Sequence, residues 1–191
     1  MSKTTFEAIL EQLCQELAEN GHELTWSLNG EASEEGLVAC EIATGIALPT
    51  DFRDFLRATN GVSIKIDPEP YLSPDLEIYS PGEIVERYRG LVAQFRERAA
   101  NDELHASLGL PQLPPEASWS RLVPFAHYGV GDCLFYAPSG IGSMATVVDM
   151  DFEDIEGAIE NTIAQTFDEW LSRVVESIRL EYSVAYWLPE P

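Results

Sequence analysis

Phe6, Ile9, Leu10, Leu13 and Leu17 recur at the spacing of one helical face, and Asn20-Gly21 closes the run. The chain therefore opens with a helix over about residues 4–19. The stretch from Glu23 to Leu28 holds Thr25, Trp26 and Leu28 and reads equally as a short strand or an extended connection. After the turn signal Asn29-Gly30, Ser33 caps a second helix near 34–44, with Glu34 and Glu35 in its first turn and Gly45 at its end. Leu37, Val38, Glu41 and Ile42 set its faces. A third helical unit runs from Leu48 to Gly61. Pro49 cannot continue a preceding helix, Thr50 stands where an N-cap belongs, and Asp51 puts a negative charge in the first turn. Phe52, Phe55 and Leu56 share one face, and Asn60-Gly61 tolerates the positive φ that ends a helix.

Beyond Gly61 the period changes from about four to two. Val62, Ile64 and Ile66 alternate with Ser63 and Lys65 as in a strand, which Asp67-Pro68-Glu69-Pro70 breaks. Leu76, Ile78 and Tyr79 mark another short strand. Ser80-Pro81-Gly82-Glu83 then starts a helix to about Asn101, with Ile84, Tyr88, Leu91, Val92 and Phe95 on its apolar side. Arg87, Arg89, Arg96 and Arg98 occupy its other side and read as a solvated face pairing with Glu at i±4. Residues 102–120, with Pro111, Pro114, Pro115 and Trp119, are loop-like and long for a compact domain. Val123-Pro124-Phe125-Ala126 leads into a hairpin whose strands are Cys133 to Tyr136 and Ala145 to Asp149, joined through the loop Pro138-Ser139-Gly140-Ile141-Gly142. An acidic segment covers 149–160. Thr166 and Glu169 form a capping box, and Phe167, Trp170, Leu171, Val174, Val175 and Ile178 stripe the last helix. The apolar tail from Tyr182 to Pro191 reads as an edge strand or a surface segment.

Composition narrows the picture. The 191 residues suit a single domain, and a chain of this size buries about 70% of its unfolded surface without needing a metal or disulfide. Hydrophobic residues at 45% exclude intrinsic disorder. With 11 Lys and Arg against 33 Asp and Glu, the net charge is −22. Such a field repels nucleic acid and anionic membrane, and it steers cationic partners towards association rates of ~10⁸–10⁹ per molar per second at low salt. Acidity also serves solubility alone. Cys14, Cys40 and Cys133 stand far apart, which argues against a disulfide framework and a zinc site. The first residues do not read as a signal peptide, and no apolar run approaches the ~20 residues that span a bilayer. The expected location is the cytoplasm.

Three groups of residues invite a chemical reading. Gly140, Gly142 and Ala145 match the letters of a dinucleotide loop, but a strand follows where the pyrophosphate needs a helix N-terminus. Asp149, Asp151, Glu153 and Glu160 fall on calcium-loop positions, yet Asp154 occupies the position that needs glycine. A solvated, partner-facing acidic loop fits better. His22, His105 and His127 are scattered, so they form no metal pair, and His127 reads as a structural hydrogen-bonding group. There is no nucleophile elbow, phosphate loop or Cys–His signature. No catalytic residue, cofactor or metal is expected.

Taken in order, several pieces resemble the SUKH superfamily, which includes fungal cell-wall-synthesis regulators and bacterial toxin-immunity proteins. The pieces are the helix at 34–45 followed by Leu48-Pro49-x-Asp51-Phe52-Arg53-x-Phe55-Leu56 with Asn60-Gly61, then Ile78-Tyr79-Ser80 before Glu83. Val123-Pro124-Phe125-Ala126, Gly131-Asp132-x-Leu134-Phe135-Tyr136 and Thr166-Phe167-Asp168-Glu169-Trp170-Leu171 complete the set. The matching core covers about 30–180, with an N-terminal helix before it, an insertion near 102–120 and an apolar tail. The resemblance implies an α+β fold with a mostly antiparallel, mixed sheet flanked by helices.

It also implies a binding protein, not an enzyme. The expected function is an immunity protein that neutralises a toxin domain, such as a nuclease, by direct contact. The expected partner is a cationic protein, with no nucleic acid and no membrane involved. Asp149, Asp151, Glu153, Asp154 and Glu156 are the candidate contact residues. A regulatory scaffold of the same fold with an endogenous partner, and an enzyme with an unrecognised site, stand as alternatives.

Overall fold

Seven strands form one sheet, among them the period-two stretch at Val62. We describe a computed structural model over residues 3–67, 75–101, 115–128, 131–136, 146–149 and 162–181. Its strands are β1 (Glu23–Leu28), β2 (Val62–Asp67), β3 (Leu76–Ile78), β4 (Leu122–Tyr128), β5 (Gly131–Tyr136), β6 (Thr146–Asp149) and β7 (Thr162–Ala164). They lie side by side in chain order, and every pairing is antiparallel. The ambiguous stretch at Glu23 is thus a strand, fixed by its full-length register with β2. β7 had no counterpart in the periodicity, because three residues are too few to show one.

Among the described residues there are six helices: α1 (Lys3–Glu19), α2 (Glu34–Thr44), α3 (Thr50–Thr59), α4 (Pro81–Ala100), α5 (Glu116–Trp119) and α6 (Phe167–Glu181). Alternation along the strands sorts the core into two layers. On β5, Cys133 and Phe135 join one layer, and Leu134 joins the other. The larger layer packs the sheet against Phe6, Leu10 and Leu13 of α1, Phe52, Phe55 and Leu56 of α3, and Phe167, Trp170 and Val174 of α6. The smaller one sets Leu122, Leu134 and Val148 against Leu91 and Phe95 of α4 and Trp119 of α5. α4 starts in the larger layer at Ile84 and ends over the smaller. Strands covered on both faces cannot alternate, which is why β4 is buried at every residue except the half-buried His127.

Trp119 corrects the reading of residues 102–120 as loop throughout. Residues 116–119 are helical, and the Trp119 ring lies 5.2 Å from Phe95, covering the smaller layer. Residues 102–114 lie outside the described residues, as do the hairpin loop at 138–142 and the tail from Tyr182. Two of the α4 arginines make contacts other than the expected i±4 pairs. Arg96 pairs with Glu116 at 3.1 Å, and Arg87 stands 5.1 Å over the Tyr79 ring.

The turn at Gly61 requires glycine. Its φ is +97°, and a Cβ there would stand 2.7 Å from the Ile78 carbonyl oxygen and 2.9 Å from the Ser80 nitrogen. Asn60, with φ 49°, precedes it at the C-terminus of α3. This close approach lets β2 follow α3 directly and pair with β3.

Candidate functional site

The signature unit is the joint of the larger layer. Leu48, Phe52, Phe55 and Leu56 are all buried. The Phe52 ring lies 4.8 Å from Phe167, 4.9 Å from Phe135 and 5.5 Å from Phe125, while Phe55 meets Phe6 at 5.2 Å. Thr50 is the first helical residue, not the cap. Pro49 occupies the cap position and has no side-chain acceptor to offer. Asp51 supplies it instead: its Oδ1 accepts from the Phe52 N–H at 3.0 Å, and its Oδ2 from the Asp168 N–H at 3.0 Å. At α6, Thr166 Oγ1 accepts from the Glu169 N–H at 3.1 Å, as expected, but the Glu169 carboxylate reaches back to the Gln165 N–H. Sequence spacing located the Thr166 cap of α6 but neither the true cap of α3 nor the bond that joins the two helix ends.

An ion-pair network ties α2 to α3. Arg53 Nη1 donates to Glu34 Oε2 at 3.0 Å, and its Nε donates to Glu41 Oε1 at 3.3 Å. Arg57 Nη2 reaches Glu34 Oε2 at 3.2 Å. The same Glu41 oxygen accepts from the Leu48 N–H at 3.1 Å, fixing the chain between the helices. Hydrogen bonds from Arg53 and Arg57 hold the Glu34 carboxyl below the usual carboxylate range. A second clamp joins α6 to α1: Arg179 Nε donates to Glu16 Oε2 at 2.8 Å and depresses that carboxyl likewise. None of these pairs between elements carried a spacing signal, because the partners lie up to 163 residues apart.

Surface grooves also lie among the described residues. One, of about 490 Å³, lies along β3 and the first half of α4 and is lined by Glu77, Glu83, Glu86, Arg87 and Tyr79. Glu83 is already committed there, accepting from the Ser80 N–H at 2.8 Å in a full capping box. Another, of about 480 Å³, runs between α1 and α6 over Ile9, Leu171 and Val175, with Asp168, Glu176 and Arg179 at its rim.

Among the described residues, no group of three or more His, Cys, Asp and Glu side chains could hold a metal. Burial pushes the Cys40 thiol up to about 12, and burial raises Cys14 as well, so neither is an activated nucleophile. His127 lies in β4 opposite Glu77 of β3 and Asp132 of β5. No described helix is long and apolar enough to cross a membrane. Asp149 ends β6, with Cys133 as its partner in register. Asp151, Glu153, Asp154, Glu156 and Glu160 lie outside the described residues, as do Gly140, Gly142, Ala145 and His105.

These elements define an α+β protein built on a seven-stranded antiparallel sheet. The chain belongs to the SMI1/KNR4 family (SUKH-1), whose family model matches residues 31–173. That span runs from the residues before α2 into α6 and includes the whole signature unit. At the level of the family, membership supports a non-catalytic immunity or regulatory role. A comparison with curated proteins finds no match.

Proposed function

We propose that this chain is an immunity protein that silences a toxin domain encoded beside it by occupying a cationic surface of that domain. The net charge of −22 carries the step from family to partner. A toxin that attacks nucleic acid must be cationic where it grips phosphate, and an acidic protein competes for that surface. Blocking of this kind needs no chemistry from the inhibitor, and it takes place in the cytoplasm, where the substrate is. The charge that attracts such a domain also repels nucleic acid and anionic membrane. The segment carrying Asp149, Asp151, Glu153, Asp154 and Glu156 contributes part of the contact, and the carboxylates along the β3–α4 groove add to the field.

The test is expression of the toxin domain from the neighbouring reading frame, with and without this chain. Restored growth, together with a stoichiometric complex of the two purified proteins, is the expected result. Continued toxicity with no complex would overturn the reading and favour a regulatory scaffold acting on an endogenous partner.

A further inference from the structure

α2 has two apolar sides. Leu37, Cys40 and Thr44 face the core. On the outer side, Val38 and Ile42 are 40% and 76% exposed. Only three large hydrophobic side chains are exposed among the described residues, and these two stand one helical turn apart. The outer face of a solvated helix is usually polar, so an outward Ile and Val side by side single this face out. Glu35, also exposed, lies on the same face one turn towards the N-terminus, and exposed Glu31 stands just before the helix.

The platform is rigid before anything binds. Ser33 Oγ accepts from the Gly36 N–H at 3.1 Å, and Gly45, with φ 70°, closes the C-terminus through a bond to the Glu41 carbonyl. Glu34 and Glu41 are held by Arg53 of α3, which leaves the outer face presented in one orientation. A preorganised face loses little freedom on binding.

Charge identifies the occupant. A second copy of this chain would bring another net charge of −22 against the first. Two exposed side chains are also too few for the apolar centre of an obligate self-dimer, whose interfaces bury about 2,000 Å² or more in total and are more hydrophobic than most. An anionic membrane is repelled. A cationic protein surface fits: an apolar centre at Val38 and Ile42, with Glu35 and Glu31 meeting Lys or Arg at the rim. Resting on the immunity reading above, we propose that the outer face of α2 is the anchor on which the cationic toxin domain docks, with Ile42 as its central contact.

The experiment uses the full chain and the purified toxin domain from the neighbouring reading frame, with affinity measured by calorimetry. Ile42→Arg and Val38→Ser are compared with Leu180→Ser, a change at the third exposed apolar residue, which lies on α6. Circular dichroism and the melting temperature check that each variant folds. Ile42→Arg should weaken binding by about thirtyfold or more and Val38→Ser by about fivefold, while Leu180→Ser stays within about twofold of wild type. If wild type binds and Ile42→Arg binds equally well, this surface is wrong and the immunity reading stands. If wild type does not bind the domain at all, both fall. A concentration-dependent dimer that Ile42→Arg abolishes would also overturn the proposal, because the face would then serve a second copy.

Discussion

Asp51 and Asp168, 117 residues apart, are joined by a hydrogen bond in which the Asp51 carboxylate accepts from the Asp168 backbone N–H at 3.0 Å. The other oxygen of the same carboxylate accepts from Phe52 at the start of α3. One negative charge therefore sits at two positive helix ends. The side chains beside the bond repeat the contact, with the Phe52 and Phe167 ring centroids 4.8 Å apart and the rings tilted by 52°. The signature aspartate is a structural joint.

Asp51→Ala leaves two N-terminal N–H groups without their acceptor, so it should cost about 1–3 kcal/mol in urea unfolding. Asp51→Asn retains one acceptor oxygen and loses the charge, so it should cost less. A shared joint also predicts that Asp51→Ala and Phe167→Leu are non-additive in a double-mutant cycle.

Phe52 touches three other rings and has no solvent exposure. Phe52→Ala should destabilise by about 3–5 kcal/mol, because rings drawn from α3, α6 and two strands cannot all close on the cavity. A loss below about 1 kcal/mol would mean that the aromatic cluster is not the centre of the core.

Glu34 tests the α2–α3 clamp. Its folded pKa is depressed by Arg53 first and Arg57 second, so its stabilisation is present above the ordinary carboxylate pKa of 4.5 and fades as pH falls below it. Acid also relieves the self-repulsion of the −22 charge, which masks the effect in wild type alone. The difference in melting temperature between wild type and Glu34→Gln removes that common term. It should be positive at pH 7 and shrink progressively as pH falls below 4.5.

The thiols titrate in the opposite sense. Cys40 is buried with its pKa raised to about 12, so its contribution is intact below the ordinary thiol value of 9.0 and declines as pH rises from there. At pH 8, a disulfide reagent should react slowly with native protein. Cys14, half-buried with its Sγ donating to the Leu24 carbonyl at 3.3 Å, should react first, and buried Cys40 and Cys133 should wait for unfolding. Three fast thiols in the native state would contradict this packing.

What the sequence disclosed follows from range. The stripes of α1, α3 and α6, the alternation of β2, the cap at Ser33 and the helix start at Ser80–Glu83 are local, and each is found where spacing placed it. Thr50 misled because Thr is a good cap by type, while the bond that decides the matter comes from Asp51. Arg53 to Glu34 and Arg179 to Glu16 could not be read, because tertiary folding alone brings them together. The exposed face of α2 escaped for another reason. With apolar residues on both sides of a helix, periodicity cannot say which side turns outward. The acidic segment that charge singled out lies outside the described residues beyond Asp149.

The central claim is that this chain works by electrostatic capture of a cationic protein domain. The most direct measurement is stopped-flow association with the toxin domain of the neighbouring reading frame, at ionic strengths from about 0.01 to 0.5 M, which takes the Debye length from about 30 Å to below 10 Å. The association rate should fall by at least tenfold across that range while dissociation changes little. A rate indifferent to salt, or no association at any ionic strength, would contradict the account.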